Sequence, residues 1–299
     1  MKTIAPSNVE EWLTWRSKGI GASDAAAVAG ASKYRSRYQV WLQKTGQCGP
    51  QEETEAMRWG RRLEPLLVEA YEERTGIMIR RPSIQLRCEH ANYSWMRATL
   101  DGINAEDAVI ELKVAGLGTS RSLGEDGETD SLPVEWLLQV QHQLAVTGLS
   151  KADVVVFHPS LQLRIYPTVR DDDLIDALIE SESEFWDLVC RQVPPTPETI
   201  GDYLDWAKRF GSKGSRIALD NDEAAEAATE LRRIRADLKQ LEQAESEAKY
   251  AIIRHLAGHE YGDLADGRII RAQTVDIAER TQTVKAHTQL RISVKEPKE

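Results

Sequence analysis

The sequence has no run of eighteen apolar residues and no apolar leader of signal-peptide character. Neither a membrane span nor a secretory route is expected, and a cytosolic protein is. Cysteine is scarce. Cys48, Cys88 and Cys190 stand far apart and in no Cys-x-x-Cys spacing, which leaves a disulfide framework and a zinc or iron–sulfur site unsupported. Buried thiols are expected instead. Positive charge is also short, with 38 Lys and Arg against 48 Asp and Glu and a net charge of −10. That balance argues against a nucleic-acid binder with a uniformly basic surface.

What is present is an ordinary globular composition, 41% hydrophobic, over 299 residues. This length holds one large domain or two ordinary ones with buried cores. The charge is unevenly spread. Residues 1–50 carry seven Lys and Arg against three Asp and Glu, whereas residues 102–198 carry six against eighteen. Much of the surplus acid lies in DDDLIDALIESESEFWD (171–187), where Leu174, Leu178, Phe185 and Val189 fit a helical stripe and the acids fill the other face. A nucleic-acid site is therefore confined rather than excluded, and the basic N-terminal region is where it belongs.

Helical patterns cover 8–18, 36–45 and 54–75, the last ending at Gly76. Strand patterns follow at 77–88, 93–103, 108–115, 152–158 and 162–169, with a polar Gly-rich loop at 116–131 and a helix over 133–147. Strands with helices on both sides imply an α/β core. VPPTP (193–197) and the glycines and serines of 211–215 mark a boundary, giving a domain over 1–198, a linker over 199–221 and an extension over 222–299. In the extension, Ala224, Ala227, Leu231, Ile234, Leu238, Leu241, Glu245, Ala248 and Ile252 alternate by three and four, a heptad seam on one long helix. The favoured reading packs this helix on a β-hairpin of 261–275 and 284–294; an intermolecular coiled coil is the alternative.

The most informative stretch is WMRATLDGINAEDAVIELKVA (95–115). Two strands joined at 104–107 place Asp101 near the end of the first and Glu111 and Lys113 on the second, facing one side while Leu112 faces the other. Two carboxylates at a strand mouth can hold a hard divalent cation, and a neighbouring ammonium can orient or help deprotonate water. An exposed Glu/Lys pair is the plainer reading of that spacing alone. Glu64 stands beside Pro65 within a helical pattern, so a kinked helix is expected to carry a carboxylate at its kink. In the 133–147 helix, Trp136, Val140 and Leu144 form the apolar stripe and leave Gln139, His142 and Gln143 together on another face. Finally, WRSKGIGASDAAAVAG sets Arg16 before Ser23 and Asp24, either of which would cap an alanine-rich helix whose N–H groups favour an anion. Lys33, Tyr34, Arg35 and Arg37 follow as a basic-aromatic patch suited to DNA backbone contact.

Taken together, these segments resemble the YqaJ and lambda-exonuclease family of phage recombination nucleases, within the PD-(D/E)XK superfamily. The resemblance covers roughly residues 8–190. WRSKGIGASD is similar to the family's Arg-x6-Ser segment, RWGRRLEP to its helix-borne glutamate, TLDGI and IELK to its metal-binding core, and LQVQHQLAVTG to its Gln-containing helix. Two positions depart: Thr-Leu rather than Ser-Pro precedes Asp101, and Val114 stands where a Cys is frequent. Neither position supplies a ligand.

The resemblance implies a restriction-endonuclease-like core, a mixed central sheet flanked by helices, and an Mg²⁺-dependent deoxyribonuclease for which Mn²⁺ substitutes. Asp101 and Glu111 would bind metal, with Glu64 and the Leu112 carbonyl joining its shell, Lys113 assisting the water and Gln139 standing at the first Gln of the motif. Arg16 and Ser23 would hold the 5′-phosphate of a duplex end, with Lys33, Arg35 and Arg37 on the DNA. It further implies degradation from 5′ ends that leaves 3′ single strands for annealing, in a bacterial cytoplasm and of phage or prophage origin. An annealing or single-strand-binding partner and a homo-oligomer belong to the same expectation. An endonuclease or branched-DNA nuclease with the same core is an alternative, and a non-catalytic DNA-binding or assembly protein is one of another class.

Overall fold

Apolar alternation sets the strands, and capped amphipathic stretches the helices, of the computed structural model, which describes residues 2–4, 8–49, 53–80, 86–211, 216–219 and 221–273. The chain begins β1 (Lys2–Ile4), α1 (Val9–Ser17), β2 (Ile20–Gly21), α2 (Ala25–Val28), α3 (Arg37–Lys44), α4 (Glu55–Thr75), β3 (Ile79–Arg80) and β4 (Leu86–Glu89). It continues through β5 (Met96–Leu100), β6 (Gly102–Asn104), β7 (Val109–Val114), α5 (Leu117–Ser120), α6 (Val134–Thr147), β8 (Lys151–His158), β9 (Gln162–Val169) and α7 (Asp172–Cys190). Last come α8 (Ile200–Phe210), α9 (Asp222–Leu256), β10 (Tyr261–Asp263) and β11 (Ile269–Arg271). Two compact units divide after Trp206.

In the first unit the central sheet runs β3-β6-β7-β8-β9 and a second sheet runs β1-β4-β5-β2. β7 and β8 are parallel, with Glu111 opposite Val154, and α6 supplies the crossover between them. Alternation along β7 and β8 divides the core. Val109, Val154 and Val156 pack with Val140 and Leu144 of α6, while Ile110, Leu112 and Val155 pack with Leu67 and Tyr71 of α4. Each fully buried side chain of this kind stabilises by about 1.5–3 kcal/mol relative to exposure. The two helices thus cover opposite faces of the strand that carries Glu111.

The segment 93–103, which reads as one strand, is broken at Asp101. β5 pairs with β4 in one sheet (Leu86 opposite Leu100), and β6 pairs with β7 in the other (Gly102 opposite Ile110). The chain changes sheets at the carboxylate. The turn after β6 is as its residues require: Asn104 Oδ1 accepts the Glu106 and Ala108 N–H groups, and Asp107 takes a positive φ of 60°. Tyr71 of α4 donates to Asp153 at 2.6 Å and accepts from Asn104 at 3.0 Å, which ties α4 to that turn; burial foremost pushes its hydroxyl up to about 12. α4 runs unbroken across Pro65, starts at the Thr54 cap and stops at Gly76 in the left-handed region.

Some expectations are corrected. Only Cys88 is buried, its thiol pushed up to about 11 by burial, whereas Cys48 and Cys190 are exposed. The segment 77–88 holds two short strands, with 81–85 outside the described residues. Part of the expected linker is helical: α8 places Trp206 against the cluster of Tyr38, Trp41 and Phe185, and Asp205 accepts from Tyr38 at 2.9 Å, anchors too distant in sequence to be read locally.

In the second unit α9 spans 35 residues, capped by Asn221, and Leu256 is its one buried residue among those described. The hairpin forms within 261–271, with Gly262 opposite Ile270, because Asp266-Gly267 supplies the turn and Gly267 has φ 85°. The expected second arm at 284–294 lies outside the described residues. Gly262 of the hairpin lies against Leu256 at the end of α9.

Candidate active site

Glu111 is buried midway along β7, with three polar side chains around its carboxylate. Gln139 donates to Oε1 at 2.5 Å, Gln143 donates to Oε2 at 2.6 Å, and Lys113 Nζ lies 2.7 Å from Oε1. Lys113 also donates to Gln139 Oε1 at 2.8 Å and lies 5.9 Å from the centre of the Trp136 ring. The arrangement follows from two periods: Glu111 and Lys113 share a face at spacing two, and Gln139 and Gln143 share a face of α6 at spacing four. Gln143 is the residue whose role sequence reading underrates; its spacing from Gln139 is the signal that points to it.

Asp101 meets this group from the sheet break. Its Oδ2 accepts the Leu112 N–H at 2.8 Å. Burial first, then the Glu111 charge and more weakly that of Glu64, push its carboxyl up to about 8, against the opposing Leu112 hydrogen bond and Lys113 charge. Such mutual repulsion is what a cation between carboxylates relieves. No group of three or more His, Cys, Asp and Glu able to hold a metal is assembled among the described residues. Glu64, on α4, lines an adjoining cleft with Trp12, Arg61 and Leu112. Two carboxylates with water and a substrate phosphate nevertheless fit Mg²⁺, which keeps much of its hydration in such sites.

The Arg16–Ser23 pair opens onto the same place. Arg16 Nη2 donates to Ser23 Oγ at 3.1 Å, and one pocket of about 190 Å³ is lined by Trp12, Arg16, Ser23, Thr99, Asp101 and Gln139. α1 is held by Arg97, which donates to the Trp15 carbonyl and pairs with Glu89 at 3.1 Å, while Trp15 Nε1 donates to Glu89 at 2.8 Å.

Asp24 does not cap a helix. The expected alanine-rich helix is the four-residue α2, preceded by a 3₁₀ turn, and Asp24 makes no side-chain cap there. It is buried and paired with Lys44 at 2.8 Å and Arg35 at 3.0 Å. Burial alone would raise its carboxyl, but Lys44, Arg35 and Arg16 hold it well below the usual carboxylate range. Arg35 and Arg37 are only partly exposed, and both are engaged within the protein. Arg35 reaches Asp24 and Gln43, and Arg37 reaches the Ser181 carbonyl at 3.1 Å and lies 5.7 Å from the Phe185 ring centre, because buried acceptors draw both inward. Lys33 stays outside, 5.3 Å from the Tyr34 ring centre.

His142 also leaves the glutamine face. Its Nδ1 lies 2.8 Å from Glu182 Oε1 and its Nε2 lies 2.9 Å from the Arg97 carbonyl, with both side chains fully buried. Burial opposes its charge, but the Glu182 carboxylate and the two hydrogen bonds prevail and raise it above the ordinary imidazole value.

A model of the YqaJ-like viral recombinase domain matches residues 11–150. Protein YqaJ of Bacillus subtilis (strain 168) is 31% identical over 260 residues, which cover 85% of this chain and 80% of that one. Among solved structures, the alkaline exonuclease LHK-Exo from Laribacter hongkongensis matches with a TM-score of 0.52 and 25% identity, covering 69% of this chain and 100% of that one. LHK-Exo in complex with dAMP matches with the same TM-score and 24% identity, covering 62% and 94%. The mixed sheet flanked by helices is a PD-(D/E)XK-like fold, and the chain belongs to the YqaJ-like viral recombinase family.

Proposed function

We propose that this protein is a metal-dependent deoxyribonuclease that degrades linear duplex DNA from 5′ ends and leaves 3′ single strands for recombination. The observation that carries the reading is the single pocket lined both by Arg16 and Ser23 and by Asp101 and Gln139. A terminal phosphate seated on the first pair would stand beside the carboxylates that act on the chain. The likeness to an alkaline exonuclease supports the reaction class.

Asp101 and Glu111 would hold Mg²⁺, or Mn²⁺ in its place, with Glu64 joining directly or through water and the Leu112 carbonyl as a further ligand. When bound, such an ion supplies Lewis acidity to the scissile phosphate and a more acidic water. Lys113 holds the proton-transfer position beside Glu111, and Gln139 fixes both by donating to one and accepting from the other. Arg16 neutralises the terminal phosphate, while Asp24 and Lys44 position the 21–24 turn beneath it. We assign this chemistry to residues 1–198 and a separate role to 222–299. Lys33 remains the exposed cation for more distant DNA contact. The 3′ strand would pass to an annealing or single-strand-binding protein in the bacterial cytoplasm. No helix among the described residues is long and apolar enough to cross a membrane.

The test is cleavage of linear duplex labelled at either end, with and without a 5′-phosphate, in Mg²⁺ and in chelator. Loss of label from 5′ ends in Mg²⁺ alone, and resistance of closed circles, is expected. Cleavage that survives chelation, or full activity of Lys113→Ala, overturns the reading.

A further inference from the structure

On the nuclease reading of the Asp101 pocket, on which this assignment rests, we infer that Arg87 and the indole N–H of Trp12 form a second seat for phosphate of the entering DNA strand, separate from Arg16 and Ser23. On the face of β4 and β5 turned to α1, two arginines stand in unlike settings. Arg97 lies directly across the ladder from Glu89 and pairs with it at 3.1 Å, whereas Arg87 lies directly across from Thr99, which offers no charge. The opposite faces of the two strands, with Cys88, Met96, Ala98 and Leu100, belong to the core.

Arg87 is only 8% exposed, yet among the described residues neither its Nε nor its Nη1 meets an acceptor. Burial pulls its guanidinium below the ordinary value, and no carboxylate opposes that pull. Buried charges are normally paired, because leaving water without an acceptor is costly. What holds this one is the Trp12 ring, whose centre lies 5.6 Å from the guanidinium carbon, and an aromatic face is a weak hold. Trp12 Nε1 is itself buried without an acceptor. Two touching side chains thus carry three unused donor nitrogens.

Trp12 brings them to the substrate. It walls both the pocket of Asp101 and Gln139 and the cleft of Glu64 and Leu112, and its ring centre lies 5.6 Å from the Arg16 guanidinium as well. Thr99, across the ladder from Arg87, lines the first of these cavities. Donors with no acceptor of their own call for anionic oxygens, and a guanidinium binds those of a phosphate through two parallel N–H groups. Each phosphate of a strand carries its own charge, so one beyond the reach of Arg16 needs a further cation. The Arg87 guanidinium leaves the ring face for it by turning about its side-chain bonds.

Binding of the full chain to linear duplex in chelator, over a salt series, tests this together with urea unfolding of the DNA-free protein. Arg87→Met keeps an unbranched stem against Trp12 and removes the charge. It should weaken binding about tenfold and lower the slope of log affinity against log salt by about one, while the urea midpoint holds or rises because an unpaired buried charge is gone. Arg87→Lys should keep the parent slope. A loss confined to 5′-phosphorylated duplex places the terminal phosphate on Arg87, and an equal loss on 5′-hydroxyl duplex places an internal one there. A packing role alone gives the reverse pattern, a lowered urea midpoint with the parent slope; either feature in Arg87→Met, or a slope lost equally in Arg87→Lys, overturns the assignment. A parent chain that binds no duplex overturns the nuclease reading along with it, whereas failure of Arg87 alone leaves parent binding intact.

Discussion

Lys113 and Glu111, two residues apart on one strand, are joined twice: directly at 2.7 Å, and through Gln139, which accepts from the ammonium at 2.8 Å and donates to the carboxylate at 2.5 Å. The lysine's position is therefore set by the carboxylate it serves. Lys113→Ala should lower the single-turnover cleavage rate by about 10²–10⁴-fold, the range of a positioned proton-transfer group. Thermal stability of the metal-free protein should fall as well, because the buried Glu111 carboxylate loses its ion-pair partner. A rate within threefold of the parent excludes the role.

Gln143 should matter for the fold as well as the site. Gln143→Leu leaves a buried Glu111 oxygen without its amide donor, at a cost of about 1–3 kcal/mol in urea unfolding. Added Mg²⁺ should recover part of this loss, since the cation takes up the released charge. Equal destabilisation with and without the ion would separate Gln143 from the metal site.

Asp101 gives the site a pH signature. Its carboxyl is pushed up to about 8, so between the unfolded value near 4 and that point the folded, metal-free protein binds the extra proton. Its contribution to stability is full below pH 4 and is lost as pH rises through about 8. Metal-free melting temperature should therefore fall across this window, and Asp101→Asn should flatten the fall while abolishing Mg²⁺ binding. Calorimetry in two buffers of different ionisation heat at pH 7 should show up to about one proton released per ion bound. No release would mean that Asp101 is not a ligand.

The chemistry of β7 is legible in the sequence because it is local: alternation alone places Glu111 and Lys113 together and turns Leu112 away. The helix boundaries of α4 and α6 are legible for the same reason, through Thr54, Gly76 and Gly148. Asp101 as a sheet-switching residue is not, since Met96–Asn104 carries one unbroken strand pattern and the break depends on which partner strand each half finds. The inward contacts of Arg35 and Arg37 are not legible, because Asp24 and the Ser181 carbonyl come beneath them only in the fold. The same holds for His142, since Glu182 lies 40 residues downstream.

Asp24 should prove structural first. Asp24→Ala leaves Lys44, itself only 3% exposed, as a buried charge without its partner, at a cost of about 3–5 kcal/mol. Arg16→Ala should spare the fold but reduce the preference for 5′-phosphorylated over 5′-hydroxyl ends. Equal loss on both ends would reject Arg16 as the phosphate anchor.

The His142–Glu182 pair carries the opposite pH dependence from an ordinary buried carboxylate. Both neighbours of the imidazole, the Arg97 carbonyl and the Glu182 carboxylate, are acceptors, so the doubly protonated ring satisfies both. With its folded value raised, the ring contributes stability that is full below about pH 6.5 and lost as pH rises through the folded value. Glu182→Gln removes the charge that sustains this. It should cost about 3–5 kcal/mol at pH 6 and less at pH 9, where the parent has lost its own contribution. Because His142 shares α6 with Gln139 and Gln143, the same variant should lower cleavage at saturating Mg²⁺ while leaving the 5′-phosphate preference intact. A cost that is constant from pH 6 to pH 9 would show that the ring stays neutral and that Glu182 carries the proton instead.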